Sequence, residues 1–215
     1  MLLIFDWDGT LADSEAHIVR ALQQAGAAVG LPERGHQQCA VLIGLGLREA
    51  AQRLYQDLSE RHIDDFCASY SEHFRALEAS TFGMQLFEGA ESTLVELQRR
   101  GHSLAVATGK SRAGLDRALT ASGLHGAFLA TRTADESQSK PDPTMLKQLL
   151  ALTKTSTDAA VMIGDTSFDM QMAASMGMAK VAANYGVHGV DELEAFQPEW
   201  SMDSIVELLD WPDLC

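Results

Sequence analysis

Two kinds of hydrophobic pattern divide the chain. Short runs of consecutive apolar residues occur at the start and recur after about residue 87, which is typical of strands buried on both faces of a parallel sheet. These runs cover residues 2–5, 104–107, 128–130, 159–163 and 178–183. Segments with helical spacing of apolar residues lie between the later runs. The alternation predicts an α/β fold with a doubly wound parallel sheet.

A helical segment without strands separates the first run from the others. Its apolar positions repeat at helical spacing and predict three amphipathic helices. The repeats are Ile18, Leu22, Ala25 and Val29, then Leu47, Ala50, Ala51, Leu54 and Leu58, and then Ile63, Phe66, Tyr70, Phe74 and Leu77. Three helices without an intervening strand cannot extend a parallel sheet. We therefore predict an inserted α-helical cap domain at residues 14–82, above a Rossmann-like core formed by residues 1–13 and 83–215.

Four groups of polar residues follow apolar runs. They are Asp6 with Asp8, Thr108 with Gly109, Lys140 before a proline, and Asp165 with Asp169. An isolated pair of acids is usually a solvated turn. Ligands of open α/β sheets, however, bind at the carboxyl ends of the strands. Four polar groups at that edge predict a phosphoryl-transfer site.

In this order, the four groups resemble the motifs of a known family. The segments DWDGTLADS (residues 6–14), ATGK (107–110), KPDP (140–143) and GDTSFD (164–169) are similar to those of the haloacid dehalogenase-like hydrolases. The likeness is to phosphatases with a helical cap after the first motif, most nearly the phosphoglycolate phosphatases. It implies a phosphomonoester hydrolase that acts on a small phosphorylated metabolite through an aspartyl-phosphate, with phosphoglycolate as the first guess.

The resemblance also implies a role for each polar group. Asp6 is the expected nucleophile, and Asp8 is the expected general acid and later the base that activates water. Thr108 and the Gly109 amide are expected to hold phosphoryl oxygens. Lys140 is expected to offset the charge of Asp6 against the phosphate and to stabilise the transferring group.

The carboxylates also predict a Mg²⁺ site, since this ion prefers hard oxygen ligands. The resemblance implies ligands from the Asp6 carboxylate, the backbone carbonyl of Asp8 and the Asp165 carboxylate. Asp169 lies one helical turn beyond Asp165, so it is a further candidate ligand that could instead bind a water or a side chain. Capping of the next helix by Asp165 or Ser167 is the alternative interpretation, and it is compatible with metal binding.

The most loop-like part of the predicted cap is GLGLRE, residues 44–49. It resembles the cap loop that reaches the substrate in this family, so Arg48 could hold a carboxylate or a second phosphate. An exposed position at a helix start is the alternative for Arg48. Phosphoglycolate phosphatases often have proline where this chain has Gly46.

Lys110 is predicted to be an ordinary surface lysine, and no histidine is assigned a role.

Composition limits the possible partners. The 215 residues carry a formal net charge of −14, and the pI is near 4.8. This charge argues against nucleic acid or an anionic membrane, since both attract basic surfaces. The first apolar run is too short for a membrane span. The three scattered cysteines indicate neither a disulfide framework nor a zinc site. We expect a cytoplasmic protein, as a monomer or homodimer.

Two other functions fit parts of the pattern. A sugar-phosphate mutase with the same core would keep the phosphoryl group beneath a closed cap and release little inorganic phosphate. A non-catalytic module would bind phosphate and Mg²⁺ without turnover. Asp8 and Lys140 argue against the module, because binding alone has little need of both an acid and a charge-offsetting lysine.

Overall fold

The computed structural model describes residues 1–79 and 85–214. Its strands are β1 (Leu2–Phe5), β2 (Ala12–Asp13), β3 (Gln85–Leu86), β4 (Ser103–Thr108), β5 (Ala130–Thr133), β6 (Ala160–Gly164), β7 (Ala179–Ala183) and β8 (Trp200–Met202). Six of them form a parallel sheet in the order β5-β4-β1-β6-β7-β8, while β2 and β3 form a small antiparallel pair. The predicted doubly wound parallel sheet is confirmed.

Nine α-helices accompany these strands in the described part of the chain. They are α1 (Glu15–Ala28), α2 (His36–Ala40), α3 (Leu47–Leu54), α4 (Glu60–Glu78), α5 (Ala90–Arg99), α6 (Arg112–Ala121), α7 (Thr144–Thr153), α8 (Ser167–Ala174) and α9 (Val190–Glu194). Short 3₁₀ turns occur at Thr157–Ala159, Ile205–Asp210 and Pro212–Leu214. No helix among the described residues is long and apolar enough to cross a membrane.

The central strand β1 is buried on both faces. Leu3 and Phe5 pack with apolar residues of α5 and α6 on one face, and Leu2 and Ile4 pack with residues of α7 and α8 on the other. The strand pairs with β4 on one side and with β6 on the other. Its carboxyl end therefore lies at the point where the winding of the sheet reverses, which is where such folds bind ligands.

Helices α1 to α4 lie between β2 and β3 and have a hydrophobic cluster of their own. It includes Ile18, Leu22, Ala25, Cys39, Ile63, Phe66 and Phe74. The separate cluster agrees with a helical insertion. The predicted end of the cap at residue 82 lies outside the described residues, as does Cys215. The two described cysteines, Cys39 and Cys67, are free.

Several short elements differ from the predictions. The described part of the insertion has four helices instead of three, because the five residues of α2 are too few to show a helical period. The strand expected at residues 128–130 instead runs from Ala130 to Thr133. Its sequence is only partly apolar, so the hydrophobic pattern did not show where it begins and ends. Strand β8 was not predicted.

Candidate active site

Asp6 follows the last residue of β1 and is fully buried. Its backbone amide donates to the Ile163 carbonyl at 2.9 Å, which continues the pairing of the sheet beyond the strand. The amide of Trp7 donates to Asp6 Oδ1 at 2.6 Å. Asp6 Oδ2 is buried and has no hydrogen-bond partner among the described residues. One carboxylate oxygen is thus held in place, and the other is available.

Lys140 neutralises part of the negative charge around Asp6. Its Nζ lies 2.8 Å from Asp6 Oδ1 and 2.7 Å from Asp169 Oδ1, and its side chain is completely buried. The two carboxylates raise the pKa of Lys140 against the opposing effect of burial. The lysine therefore stays charged, because an ammonium buried between two carboxylates is strongly favoured.

Asp165 follows β6 and is held by two donors. Thr10 Oγ1 donates to its Oδ1 at 2.7 Å, and the Val187 amide donates to its Oδ2 at 2.9 Å. Gly9 and Gly186 lie against this side chain, since a Cβ at either position would stand 2.1 Å from an Asp165 atom. Gly9 also has a φ of +83°, which favours glycine. The carboxylate is thereby fixed by two segments of the chain, residues 9–10 and 186–187.

Asp169 lies in the first turn of α8 and is fully buried. Its Oδ2 accepts from Thr166 Oγ1 at 2.7 Å and from the Thr166 amide at 3.2 Å, in a capping box at the helix start. Its Oδ1 faces Lys140. The N-cap is Thr166, so the alternative interpretation of Asp165 or Ser167 as the cap is wrong.

The carboxylates of Asp6, Asp165 and Asp169 converge on one point, where one oxygen from each lies within 4.8 Å of the others. Together with Lys140 they carry a formal excess of two negative charges. Burial raises the pKa of Asp6 well above its usual range, and burial followed by the charge of Asp169 raises the pKa of Asp165 to about 7. A divalent cation would offset this excess of negative charge, and the three converging carboxylates would supply hard oxygen ligands. The donor set fits Mg²⁺.

The carboxylate of Asp8 is not part of this cluster and contacts two other groups. Ser14 Oγ donates to Asp8 Oδ1 at 2.7 Å, and Lys110 Nζ donates to both oxygens at 2.9 and 3.0 Å. Only 7% of the Lys110 side chain is exposed. The prediction of a surface lysine is therefore wrong. Residue type and position alone did not show that the turn after β4 directs this side chain towards Asp8.

Thr108 is the last residue of β4, and Gly109, which follows it, lines the same cavity as Asp8. Thr108 is fully buried, and its Oγ1 accepts from the Lys110 amide at 3.2 Å. Gly109 approaches the helical insertion closely, since a Cβ there would stand 2.5 Å from the carbonyl oxygens of Gly44 and Leu45. A glycine is needed at this position because a side chain would push the insertion away.

Arg48 is not brought to the site. Its guanidinium pairs with Glu60 and with Asp64 on α4, and about half of its side chain is exposed. These contacts raise the pKa of Arg48. The segment that contains Arg48 does contact the core, but through a backbone group: the Gly46 amide donates to Ser139 Oγ at 2.8 Å. Ser139 directly precedes Lys140.

A cavity of about 280 Å³ lies between the helical insertion and the core. The core contributes Asp8, Gly109, Lys110 and residues of α6, while the insertion contributes residues of α1, of segment 42–50 and of α4. Asp8 and Lys110 therefore face space that is large enough for a small molecule.

Comparison with known proteins establishes the family. A family model described as haloacid dehalogenase-like hydrolase matches residues 3–183. The chain belongs to this family. The resemblance inferred from the four motifs is confirmed, and the chain is accordingly a hydrolase.

Relatives of this haloacid dehalogenase-like hydrolase are named as phosphatases. "Probable phosphatase IndB" of Dickeya dadantii is 34% identical over 212 residues, which are 97% of this chain and 91% of that protein. A phosphoglycolate phosphatase of Vibrio parahaemolyticus is 30% identical over 221 residues, 97% of this chain and 94% of that protein. A hydrolase of known structure from Pseudomonas syringae has the same fold, with a TM-score of 0.90 at 22% identity, over 99% of this chain and 98% of that chain.

Sequence reasoning missed a second residue beside the site of this hydrolase. His188 is buried, and its Nδ1 lies 3.1 Å from the Ser167 amide, while its Nε2 lies 3.3 Å from the Val41 carbonyl in the insertion. Its own amide donates to the Asp165 carbonyl at 3.3 Å. His188 thus joins the start of α8 to the insertion. No sequence signal marks these contacts, because Ser167 and Val41 lie more than 20 residues from His188.

Proposed function

We propose that this hydrolase is a Mg²⁺-dependent phosphomonoesterase that forms an aspartyl-phosphate on Asp6. The observation that carries the proposal is the state of the Asp6 carboxylate. One of its oxygens is anchored by the Trp7 amide and Lys140, while the other is buried without a partner among the described residues. An anchored carboxylate with a free oxygen beside a positive charge is suited to attack phosphorus.

In the first step, an Asp6 oxygen bonds to phosphorus and the bond from phosphorus to the ester oxygen breaks. Asp8 gives a proton to the departing alkoxide. Lys140 offsets the negative charge of Asp6 as the anionic phosphate approaches. Thr108 Oγ1 and the Gly109 amide hold phosphoryl oxygens at the end of β4.

In the second step, water attacks the phosphorus of the aspartyl-phosphate. Asp8, now ionised, accepts a proton from this water, and inorganic phosphate leaves with Asp6 restored. Lys110 and Ser14 hold the Asp8 carboxylate from two directions. These contacts hold the Asp8 carboxylate at the wall of the cavity, where the same group can serve both steps.

The proposed Mg²⁺ ligands are the carboxylates of Asp6, Asp165 and Asp169, with the backbone carbonyl of Asp8. When bound, the ion neutralises the carboxylate cluster and the phosphoryl oxygens. Asp169 also supports Lys140 and the start of α8, so its role is partly structural. The convergence of three buried carboxylates supports this assignment.

We assign residues 14–82 to a cap that covers the phosphate and selects the leaving group of a small phosphorylated metabolite. The separate hydrophobic cluster of α1 to α4 and the cavity beneath them support this assignment. Phosphoglycolate is the first substrate to assay, because a relative that is 30% identical over 97% of this chain is named for it. The surface pairing of Arg48 with Glu60 and Asp64 gives no support to its role in binding substrate.

The proposal is tested by measuring released inorganic phosphate from phosphoglycolate and other small phosphomonoesters, with Mg²⁺ or with a chelator. We expect Asp6→Asn to lower kcat by at least about 10³-fold, because the amide cannot form the acyl phosphate. Hydroxylamine should trap a hydroxamate at Asp6 during turnover. Undiminished turnover in Asp6→Asn would reject the mechanism. Isomerised substrate with little released phosphate would favour the mutase.

A further inference from the structure

We propose that the cavity beside Asp8 accepts a leaving group larger than glycolate, with an apolar ring packed on Tyr70 and Phe74 and an anionic group bound by Arg75. This inference rests on the proposed phosphatase function, and it names the class of substrate. The cavity lies between α1 and α4 on one side and the turn after β4 with α6 on the other.

The size of the cavity is the first argument. Its volume is about 280 Å³, and the described residues that line it include Asp8 and Lys110 but neither Asp6 nor Asp165. The cavity is thus space for the leaving group, beyond the phosphate position. A bonded non-hydrogen atom takes up less space than the roughly 30 Å³ of a water molecule in the liquid, so the five non-hydrogen atoms of glycolate would leave at least about half of the cavity empty. A leaving group of at least about ten non-hydrogen atoms fits in this volume.

The second argument is an aromatic surface that α4 presents to the cavity. The Tyr70 and Phe74 rings are stacked, with centroids 5.4 Å apart and planes inclined by 15°. Ile18, Leu22 and Leu42 continue the apolar lining. Such a surface suits an apolar ring, because burial of apolar area against these side chains is favourable. A short, fully polar leaving group would leave this surface uncovered.

The third argument is charge. Lys110 is engaged by Asp8, and the Arg117 Nε donates to Glu78 at 3.0 Å, so both cations already have a carboxylate partner. Arg75 differs from them. Its Nε donates to the Ser71 carbonyl at 3.0 Å, and its terminal nitrogens make no hydrogen bond to the described residues. Terminal guanidinium nitrogens without a partner among the described residues are able to bind a carboxylate in a two-pronged contact.

Three alkyl phosphates separate these features experimentally. Phosphoglycolate is small and anionic, benzyl phosphate adds the ring without an anion, and 4-carboxybenzyl phosphate has both the ring and a carboxylate. We expect kcat/KM to be highest for 4-carboxybenzyl phosphate, by about tenfold over each of the others. Equal or higher kcat/KM for phosphoglycolate would overturn the inference while leaving the phosphatase proposal intact. No phosphate release from any of the three would instead count against the phosphatase function.

Two variants locate the contacts. Arg75→Gln should lower kcat/KM about tenfold for 4-carboxybenzyl phosphate and leave benzyl phosphate unchanged. Phe74→Leu keeps an apolar residue in the cap and should lower kcat/KM about fivefold for both ring substrates but not for phosphoglycolate. Arg61→Gln on the exposed side of α4 is the matched control, since Arg61 is 91% exposed. Equal losses on all three substrates would show a structural effect and overturn the assignment.

Discussion

The carboxylate cluster predicts how the stability of the metal-free protein depends on pH. Asp165 has a pKa of about 7 in the folded chain against an ordinary value of 3.8, mainly because it is buried and lies near Asp169. The folded state therefore keeps this proton at pH values where the unfolded state has released it. Stability consequently falls as pH rises from about 3.8 to about 7, and Asp6, whose pKa is also raised by burial, acts in the same direction.

The size of this pH effect on stability follows from the raised pKa of Asp165. One proton of difference corresponds to about 1.4 kcal/mol per pH unit, so the free energy of unfolding should fall by about 2 kcal/mol between pH 5.5 and pH 7. For a chain of this length, that change lowers Tm by about 4–8 °C. Mg²⁺ binds the ionised carboxylates, so its stabilising effect should be larger at pH 8 than at pH 6.

Thermal unfolding of the protein with a chelator and with Mg²⁺, across this pH range, measures both effects. Asp165→Asn removes the titrating carboxyl and should flatten the pH dependence without metal. Asp191→Asn, an exposed acid on α9, is the matched control and should leave it unchanged. The reasoning is refuted if the metal-free Tm is constant from pH 5.5 to 7, or if Mg²⁺ stabilises the protein equally at pH 6 and pH 8.

Three further substitutions test individual contacts. Lys110→Met removes the ammonium that holds Asp8 and should lower kcat by about 10²-fold in a phosphate-release assay. Lys147→Met is the control and should have no effect. Equal activity of the two variants would remove Lys110 from the mechanism. Ser139→Ala deletes the acceptor of the Gly46 amide and should lower kcat/KM about fivefold, and an unchanged value would show that this contact does not hold the insertion in place. Thr166→Val removes the N-cap of α8 and should lower the free energy of unfolding in urea by about 1–2 kcal/mol. Thr166→Ser keeps the hydroxyl and should lower it much less. Equal losses in the two variants would mean that packing of the methyl group matters more than the cap.

Much of the core could be predicted from the chain because its strands are buried on both faces. Strands such as β1 and β6 consist of consecutive apolar residues, and this pattern can be seen in the sequence without knowing which strands lie beside them. Polar residues that follow such strands lie at one edge of a parallel sheet. That rule anticipated the proximity of Asp6 and Asp165, which directly follow β1 and β6 and whose carboxylate oxygens lie within 4.8 Å of each other. Short elements such as α2 and β8 were missed because they contain too few residues to show a period.

The order and type of residues along the chain determined the α/β fold, the helical insertion and the set of candidate catalytic groups. These properties depend on local pattern and on the few ways in which parallel strands can pack. Only the tertiary structure showed that Lys110 donates to Asp8, that Arg48 forms an ion pair with Glu60 and that Tyr70 lines the cavity. Each of these contacts joins separate segments, and the direction of a side chain depends on packing against residues that are distant in sequence.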